Sequence, residues 1–318
     1  MTPLYELDQI KAALERMDLT QAIEEGFKAY SQNQVVVPPV GELVFDTPPG
    51  DTHIKYGYIK EDDYFVIKIA SGFYDNPKID LPSSSGLMLL FNQKTGFPVA
   101  ILNDQGHLTN VRTALAGRIT AQQLAPKSVT AIGVFGTGIQ GRLQVEYLKT
   151  VTPCRKVVAW GKESTDFESY VEEMTARGFE VETTTDAATL ARQCNLIITA
   201  TPSREPLLFA DMLRPGTHIT AMGSDTAEKQ ELDSAILGAA DIVVGDSLEQ
   251  CQSRGEIFQA TTAGHLAPNK AIELGHLLMN PDLGRSSDDQ LTVADLTGVA
   301  VQDIQITKAV YQALSSRS

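Results

Sequence analysis

A chain of 318 residues, 42% hydrophobic and 21% charged, holds enough material for two modest domains or one large one. Its net charge of −14 argues against sustained contact with nucleic acid or an anionic membrane, so neither is expected as a partner. The three cysteines (Cys154, Cys194, Cys251) form no CxxC pair and the five histidines are scattered, so neither a disulfide framework nor a metal site is expected.

The opening segment, MTPLYELDQIKAALERM, has no basic stretch followed by a long apolar one. No later run reaches the ~18 apolar residues that span a membrane, and the expectation is a cytoplasmic protein. Residues 7–31 carry apolar positions at helical spacing, with Leu14, Met17, Ile23 and Phe27 on buried faces. Between 35 and 102 the pattern changes to short β-branched and aromatic runs (VVVPPV, HIKYGYI, YFVIKIA, GLMLLF, PVAIL). Turn chemistry (TPPGD, KEDD, NQKTG) separates them, which predicts an antiparallel sheet of about five strands.

Two of these strands contain cations. Alternation places His53 and Lys55 on one face, and a hairpin closed symmetrically at residues 60–63 sets Lys55 opposite Lys68. Like charges directly opposite destabilise a sheet. Either Lys55 reaches solvent or the register slips, or the pair belongs to an anion site in which proximity depresses one lysine's pKa. Residues 110–124 return to a helical pattern, closed by Ala125-Pro126.

From residue 128 the rhythm changes again. SVTAIGVFG, KVVAW, CNLIITAT, HITAM and DIVVGD are continuous apolar runs with helical or loop segments between them, the signature of a parallel sheet covered on both faces. The fold class expected is α/β: a Rossmann-type doubly wound parallel sheet, plus a second α+β domain with a mainly antiparallel sheet. The last helical stretch, QDIQITKAVYQAL, is expected to return to the first domain.

Directly after the first of these runs stands Gly136-Thr137-Gly138-Ile139-Gln140-Gly141, opening a helix. Gly136 suits a tight turn, Gly138 lets the backbone approach a pyrophosphate, and Gly141 allows close helix–strand packing. The helix N-terminus adds free N–H groups and partial positive charge. A dinucleotide, NAD or NADP, is the expected cofactor. After the second strand the chain reads Trp160-Gly-Lys162-Glu163-Ser164. Lys162 and Ser164 suit a 2′-phosphate, Glu163 suits a ribose 2′-hydroxyl, and Trp160 either stacks beside adenine or packs in the core, so the choice between NAD and NADP stays open.

Taken in order, VIKIASGF, LTNVRTALAG, GTGIQG, GSDTAEKQEL, CQSRGEI and DLTGVAVQD resemble the ornithine cyclodeaminase/mu-crystallin family over about residues 50–303. The resemblance implies a homodimer of two-domain subunits: a substrate and dimerisation domain from residues 1–119 and 299–318, and a dinucleotide-binding domain from 120–298. It also implies NAD(P)H-dependent hydride transfer at the α-carbon of a small amino or imino acid. By motif position Lys68 contacts substrate and acts in catalysis, Arg112 holds the α-carboxylate, and Asp225 is the acid/base. Ser83, Thr201, Gly223, Lys229 and the turn Leu296-Thr297-Gly298 lie near the cofactor.

Ornithine-converting members carry an arginine in the proline-rich segment and an acidic residue on the strand before the lysine strand. Here those places read Pro38-Pro-Val-Gly-Glu-Leu43 and Lys55. The first reading is therefore reduction of a C=N bond, reversible as amino-acid dehydrogenation. Lys55, Lys68, Arg112 and His53 exceed what one carboxylate needs, which favours an imino-dicarboxylate such as iminosuccinate; a cyclic ketimine such as pyrroline-2-carboxylate is the other candidate. Redox-neutral cyclodeamination with ammonia release, and a non-catalytic nucleotide-binding protein, are the alternatives.

Overall fold

Alternating apolar and polar positions in the first hundred residues build a seven-stranded sheet. Its strands are β1 (Leu4–Glu6), β2 (Val35–Val36), β3 (Gly41–Asp46), β4 (Pro49–Ile59), β5 (Tyr64–Phe73), β6 (Ser84–Asn92) and β7 (Pro98–Asn103). They are ordered β1-β7-β6-β5-β4-β2, with β3 also paired to β4. The computed structural model describes residues 1–316 apart from positions 74, 164 and 166. The chain divides into two units, Met1–Arg112 with Val299–Ser318, and Thr113–Gly298.

In the first unit the sheet exceeds the five strands expected. β1 pairs parallel to β7, and at three residues it is too short to show alternation. The helical stretch 7–31 is likewise two helices, Leu7–Leu14 and Thr20–Ser31. Asp18 interrupts them, its carboxylate accepting from the Thr20 backbone N–H (3.0 Å) and hydroxyl (2.6 Å) in place of a continued helix.

The loop between β4 and β5 is residues 60–63, and the register pairs Lys55 with Lys68 directly. The row continues through Met88 on β6 to Leu102 on β7, and all four are buried. This inner face is covered by the helix Ala300–Ser315, which also packs on Thr20–Ser31. Gly26 permits that approach, since a Cβ there would lie 2.9 Å from Gln305 Cγ. The opposite face carries Tyr56 opposite Ile67, Ile67 opposite Leu89, and Phe65 stacked on Phe91 at 4.8 Å. Those side chains remain partly exposed.

The second unit is an eight-stranded parallel sheet: β8 (Ile132–Phe135), β9 (Lys156–Trp160), β10 (Glu180–Thr184), β11 (Leu196–Thr199), β12 (His218–Ala221), β13 (Ile242–Gly245), β14 (Ile272–Glu273) and β15 (Thr292–Asp295). Their order is β10-β9-β8-β11-β12-β15-β13-β14. The chain reverses its direction of strand addition beside β8, which makes the C-terminal end of β8 the switch point where open α/β sheets bind ligands. Five of these strands match the apolar runs read above. β10 (EVETT) is a polar edge strand, β14 has two residues, and β15 (TVAD) lies in mid-sheet with only four residues. Apolar side chains from β8, β9 and β11 fill one face, with Tyr170 and Met174 packed on them. Those of Phe135, Ile197, Ile219 and Val243 fill the other.

Candidate active site

The glycines of the loop after β8 differ in what surrounds them. Gly136 has φ +100° and a Cβ there would lie 2.7 Å from the Ala200 carbonyl, so no other residue fits that turn. A Cβ on Gly141 would lie 2.0 Å from the Gly136 carbonyl, the close helix–loop packing expected of that position. At Gly138 nothing lies within 4 Å. Gly138 caps the helix Ile139–Tyr147, whose first N–H groups open into the same space. A crowded turn, a crowded packing glycine and an open middle one fit a phosphate-bearing ligand at Gly138. Ile139 is exposed, and the Gln140 side chain accepts from Gln144 Nε2 at 3.3 Å.

A cleft of about 260 Å³ adjoins this loop, lined by Gly136, Thr137, Trp160, Lys162, Thr201 and Ser203, among others. Trp160 is mainly a core residue: it is 9% exposed, lies 5.3 Å from the Phe135 ring, and its indole N–H donates to the Thr185 carbonyl at 2.9 Å. It also lines the cleft. Lys162 lines it, Glu163 is exposed, and Ser164 lies outside the described residues.

Buried carboxylates hold the neighbouring loops, and sequence reading singled out none of them. Glu231 is fully buried. It accepts from the Thr199 hydroxyl (2.8 Å), the Thr201 N–H (2.6 Å) and hydroxyl (2.7 Å), and the Gly223 N–H (2.9 Å). Burial pushes its pKa up while these donors oppose the rise. Gly223 is required beside it, since a Cβ would stand 2.2 Å from the Thr201 carbonyl. The Asp246 carboxylate accepts from the Thr297 N–H and hydroxyl and from the Gly298 N–H (2.7 Å). Gly298 has φ +82°, and Leu296 donates to the Ala221 carbonyl at 2.8 Å. Asp225 lies in the loop that Glu231 anchors. Its carboxylate accepts from Lys229 Nζ at 2.6 Å, so Lys229 is engaged by Asp225.

The cations are in the first unit. Lys68 is 2% exposed, Arg112 6% and Lys55 8%. Arg112 comes from the helix His107–Leu124. Asp303, in the first turns of Ala300–Ser315, joins them: Lys68 Nζ stands 3.1 Å from Oδ2 and Arg112 Nε 3.1 Å from Oδ1. Burial lowers the Lys68 pKa to about 7, with Arg112 and Lys55 adding repulsion against the pull of Asp303. Burial alone would raise the Asp303 pKa, but Lys68, Arg112 and Lys55 together hold it below its usual value. Burial raises the carboxyl of nearby Asp104 to about 6.

Asp303 is an addition to the cations that the sequence marks, since it pairs with both Lys68 and Arg112. Asp303 ends the motif DLTGVAVQD, and an acid inside an otherwise apolar helix start was the signal available. His53 shares the face of Lys55 but sits 3.5 Å from Glu42, its partner on β3. Ser83 is exposed just before β6 in the first unit, with its carbonyl accepting from the Phe73 N–H at 2.8 Å.

The model of the ornithine cyclodeaminase/mu-crystallin family matches residues 4–318. A Sinorhizobium fredii protein described as an uncharacterized cyclodeaminase is 38% identical over 305 residues, 95% of this chain and 92% of that protein. An archaeal alanine dehydrogenase dimer with bound NAD has a TM-score of 0.88 at 32% identity, covering 99% of this chain and 97% of that one. The iminosuccinate reductase of Paracoccus denitrificans, in complex with NAD+, has a TM-score of 0.87 at 28% identity over 99% and 97%.

Proposed function

The chain belongs to the ornithine cyclodeaminase/mu-crystallin family, and from that premise we propose that it reduces the C=N bond of a small imino acid with NAD(P)H, reversibly as an amino-acid dehydrogenase. The observation that carries the reading is that Lys68 and Arg112 are buried together on the one carboxylate of Asp303, with buried Lys55 directly opposite Lys68. Buried cations gathered this closely suit an anionic ligand, and the relatives include a reductase of an imino-dicarboxylate. The open glycine at 138 supports a dinucleotide.

In this reading the Arg112 guanidinium, planar and permanently charged, clamps the substrate α-carboxylate. Lys68, its pKa lowered to about 7, passes its proton to the substrate nitrogen as hydride reaches the α-carbon, and takes a proton back from that nitrogen in the oxidative direction. Asp225, oriented by Lys229, exchanges the proton of the substrate nitrogen. Lys55 faces the second acidic group of a dicarboxylate. The glycine loop at Gly136–Gly141 would hold the pyrophosphate of a dinucleotide, which would supply or receive the hydride through its nicotinamide. The partly exposed apolar sheet face of Tyr56, Phe65, Ile67, Leu89 and Phe91 supports a homodimer, as the archaeal dehydrogenase is.

The test is a panel of α-keto acids with ammonia, and of cyclic imines, with NADH and NADPH. Net oxidation of reduced nicotinamide is the expected result. Ammonia release from ornithine without net change in the nicotinamide, and no imine reduction, would replace this reading with cyclodeamination.

A further inference from the structure

Gln302 occupies the first turn of Ala300–Ser315, one residue before Asp303, and is 1% exposed. Its Oε1 accepts from Arg112 Nη1 at 3.3 Å. Its Nε2 has no hydrogen-bond partner among the described residues. The amide cannot be turned over to relieve this, because arginine offers only donors and Nε2 against Nη1 would set donor to donor. Two N–H groups are thus fixed beside Arg112 with nothing to receive them. Buried donors of this kind are rare in native proteins.

The surroundings limit what can receive them. Arg112 and Lys68 are donors only, and Asp303 is already engaged by both. The first turn of a helix adds partial positive charge. An acceptor entering this space is best satisfied as an anion with two oxygens. We propose that Gln302 is a substrate-binding residue whose Nε2 donates to the same carboxylate that Arg112 clamps. The proposal rests on the reading above that Arg112 holds a carboxylate, and it assigns to Gln302 half of that recognition.

Gln302→Leu keeps a similar volume and removes both the donor and the acceptor. It is expected to raise KM for the imino acid roughly tenfold or more, as loss of a hydrogen bond to a charged group does, with kcat within about twofold. Thermal stability is expected to hold, because an unsatisfied buried amide leaves with the side chain. Gln302→Glu, an acceptor only, is expected to raise KM further. As a readout independent of turnover, L-alanine, L-aspartate and L-proline are tested for the rise in Tm they give with saturating NAD+ or NADP+; the rise should be lost in Gln302→Leu. Wild-type KM and ligand-induced stabilisation in Gln302→Leu would overturn the assignment, as would a large fall in Tm with KM unchanged. If the wild type gains Gln302-dependent stability from an amino acid but reduces no imine, the assignment stands and the reductase reading fails.

Discussion

Lys55→Met keeps the reach of the side chain and removes one charge from the cluster. Lys55 lies directly opposite Lys68, and both are buried. Taking a separation of about 6 Å and an effective dielectric of about 20, the two charges repel by roughly 3 kcal/mol. Asp303 draws both cations and lessens this, so about half of it, some 1.4 kcal/mol or one pKa unit, is a fair expectation for Lys68. Its proton should then be lost near pH 8, roughly, in place of about 7.

The sign is fixed by the chemistry proposed. Imine reduction uses protonated Lys68, so wild-type kcat/KM should fall as pH rises through about 7, and the variant should hold its activity about one unit further. Amino-acid oxidation should show the mirror image. Stability follows the same group: a lysine whose folded pKa lies below its usual 10.5 imposes its full penalty below pH 7, relieved as pH rises toward 10.5. The variant should therefore gain roughly 2–4 °C in Tm at slightly acid pH, and less at alkaline pH. Initial rates of nicotinamide oxidation against pH, with thermal melts, measure both. An unmoved alkaline limb would show that Lys68 does not feel Lys55. An unchanged preference between iminosuccinate and pyrroline-2-carboxylate would refute a second carboxylate at Lys55.

Gly138→Ala should fold as the wild type does, since its Cβ meets nothing within 4 Å, yet bind nucleotide at least tenfold more weakly, roughly, because the methyl blocks phosphate approach. Quenching of Trp160, the single tryptophan, reports the binding from the cleft edge; full affinity in this variant would move the phosphates elsewhere. Gly141→Ala, with its Cβ 2.0 Å from a carbonyl, should instead lose stability outright. Asp303→Asn leaves buried cations without their carboxylate and should cost about 3–5 kcal/mol in denaturant melts. It should also shift the Lys68 limb to lower pH, opposite to Lys55→Met, because Asp303 is the group that raises the Lys68 pKa.

The parts of this site that a single sequence reveals are those with local causes. Strand period and a symmetric KEDD turn point to the Lys55–Lys68 pairing, which the register then shows, and glycine spacing after an apolar run marks the loop at 136–141. The same alternation places His53 on the cation face, but its partner Glu42 lies on β3, whose sequence GELVFD carries no clean alternation to announce a strand. Asp303 and Gln302 acquire their roles only because a helix nearly two hundred residues away returns to Arg112. Glu231 and Asp246 look like surface acids in sequence, and their use as acceptors for loop N–H groups exists only once several strand ends converge. β10 and β15 are missed because an exposed polar edge strand (EVETT) and a strand with a polar residue at each end (TVAD) have no continuous apolar run to display.

β15 enters the middle of its sheet, between β12 and β13, from residues 292–295. As the chain emerges during synthesis, the parallel sheet therefore waits with a central gap until those residues are made. The first sheet waits longer for the helix Ala300–Ser315 that covers it. Lys68 and Arg112 are both synthesised some two hundred residues before Asp303, and until then they lack the carboxylate that they share in the folded chain. Partly made chains expose apolar strands and self-repelling charge together, the condition in which nascent chains are most prone to aggregate and chaperones matter most.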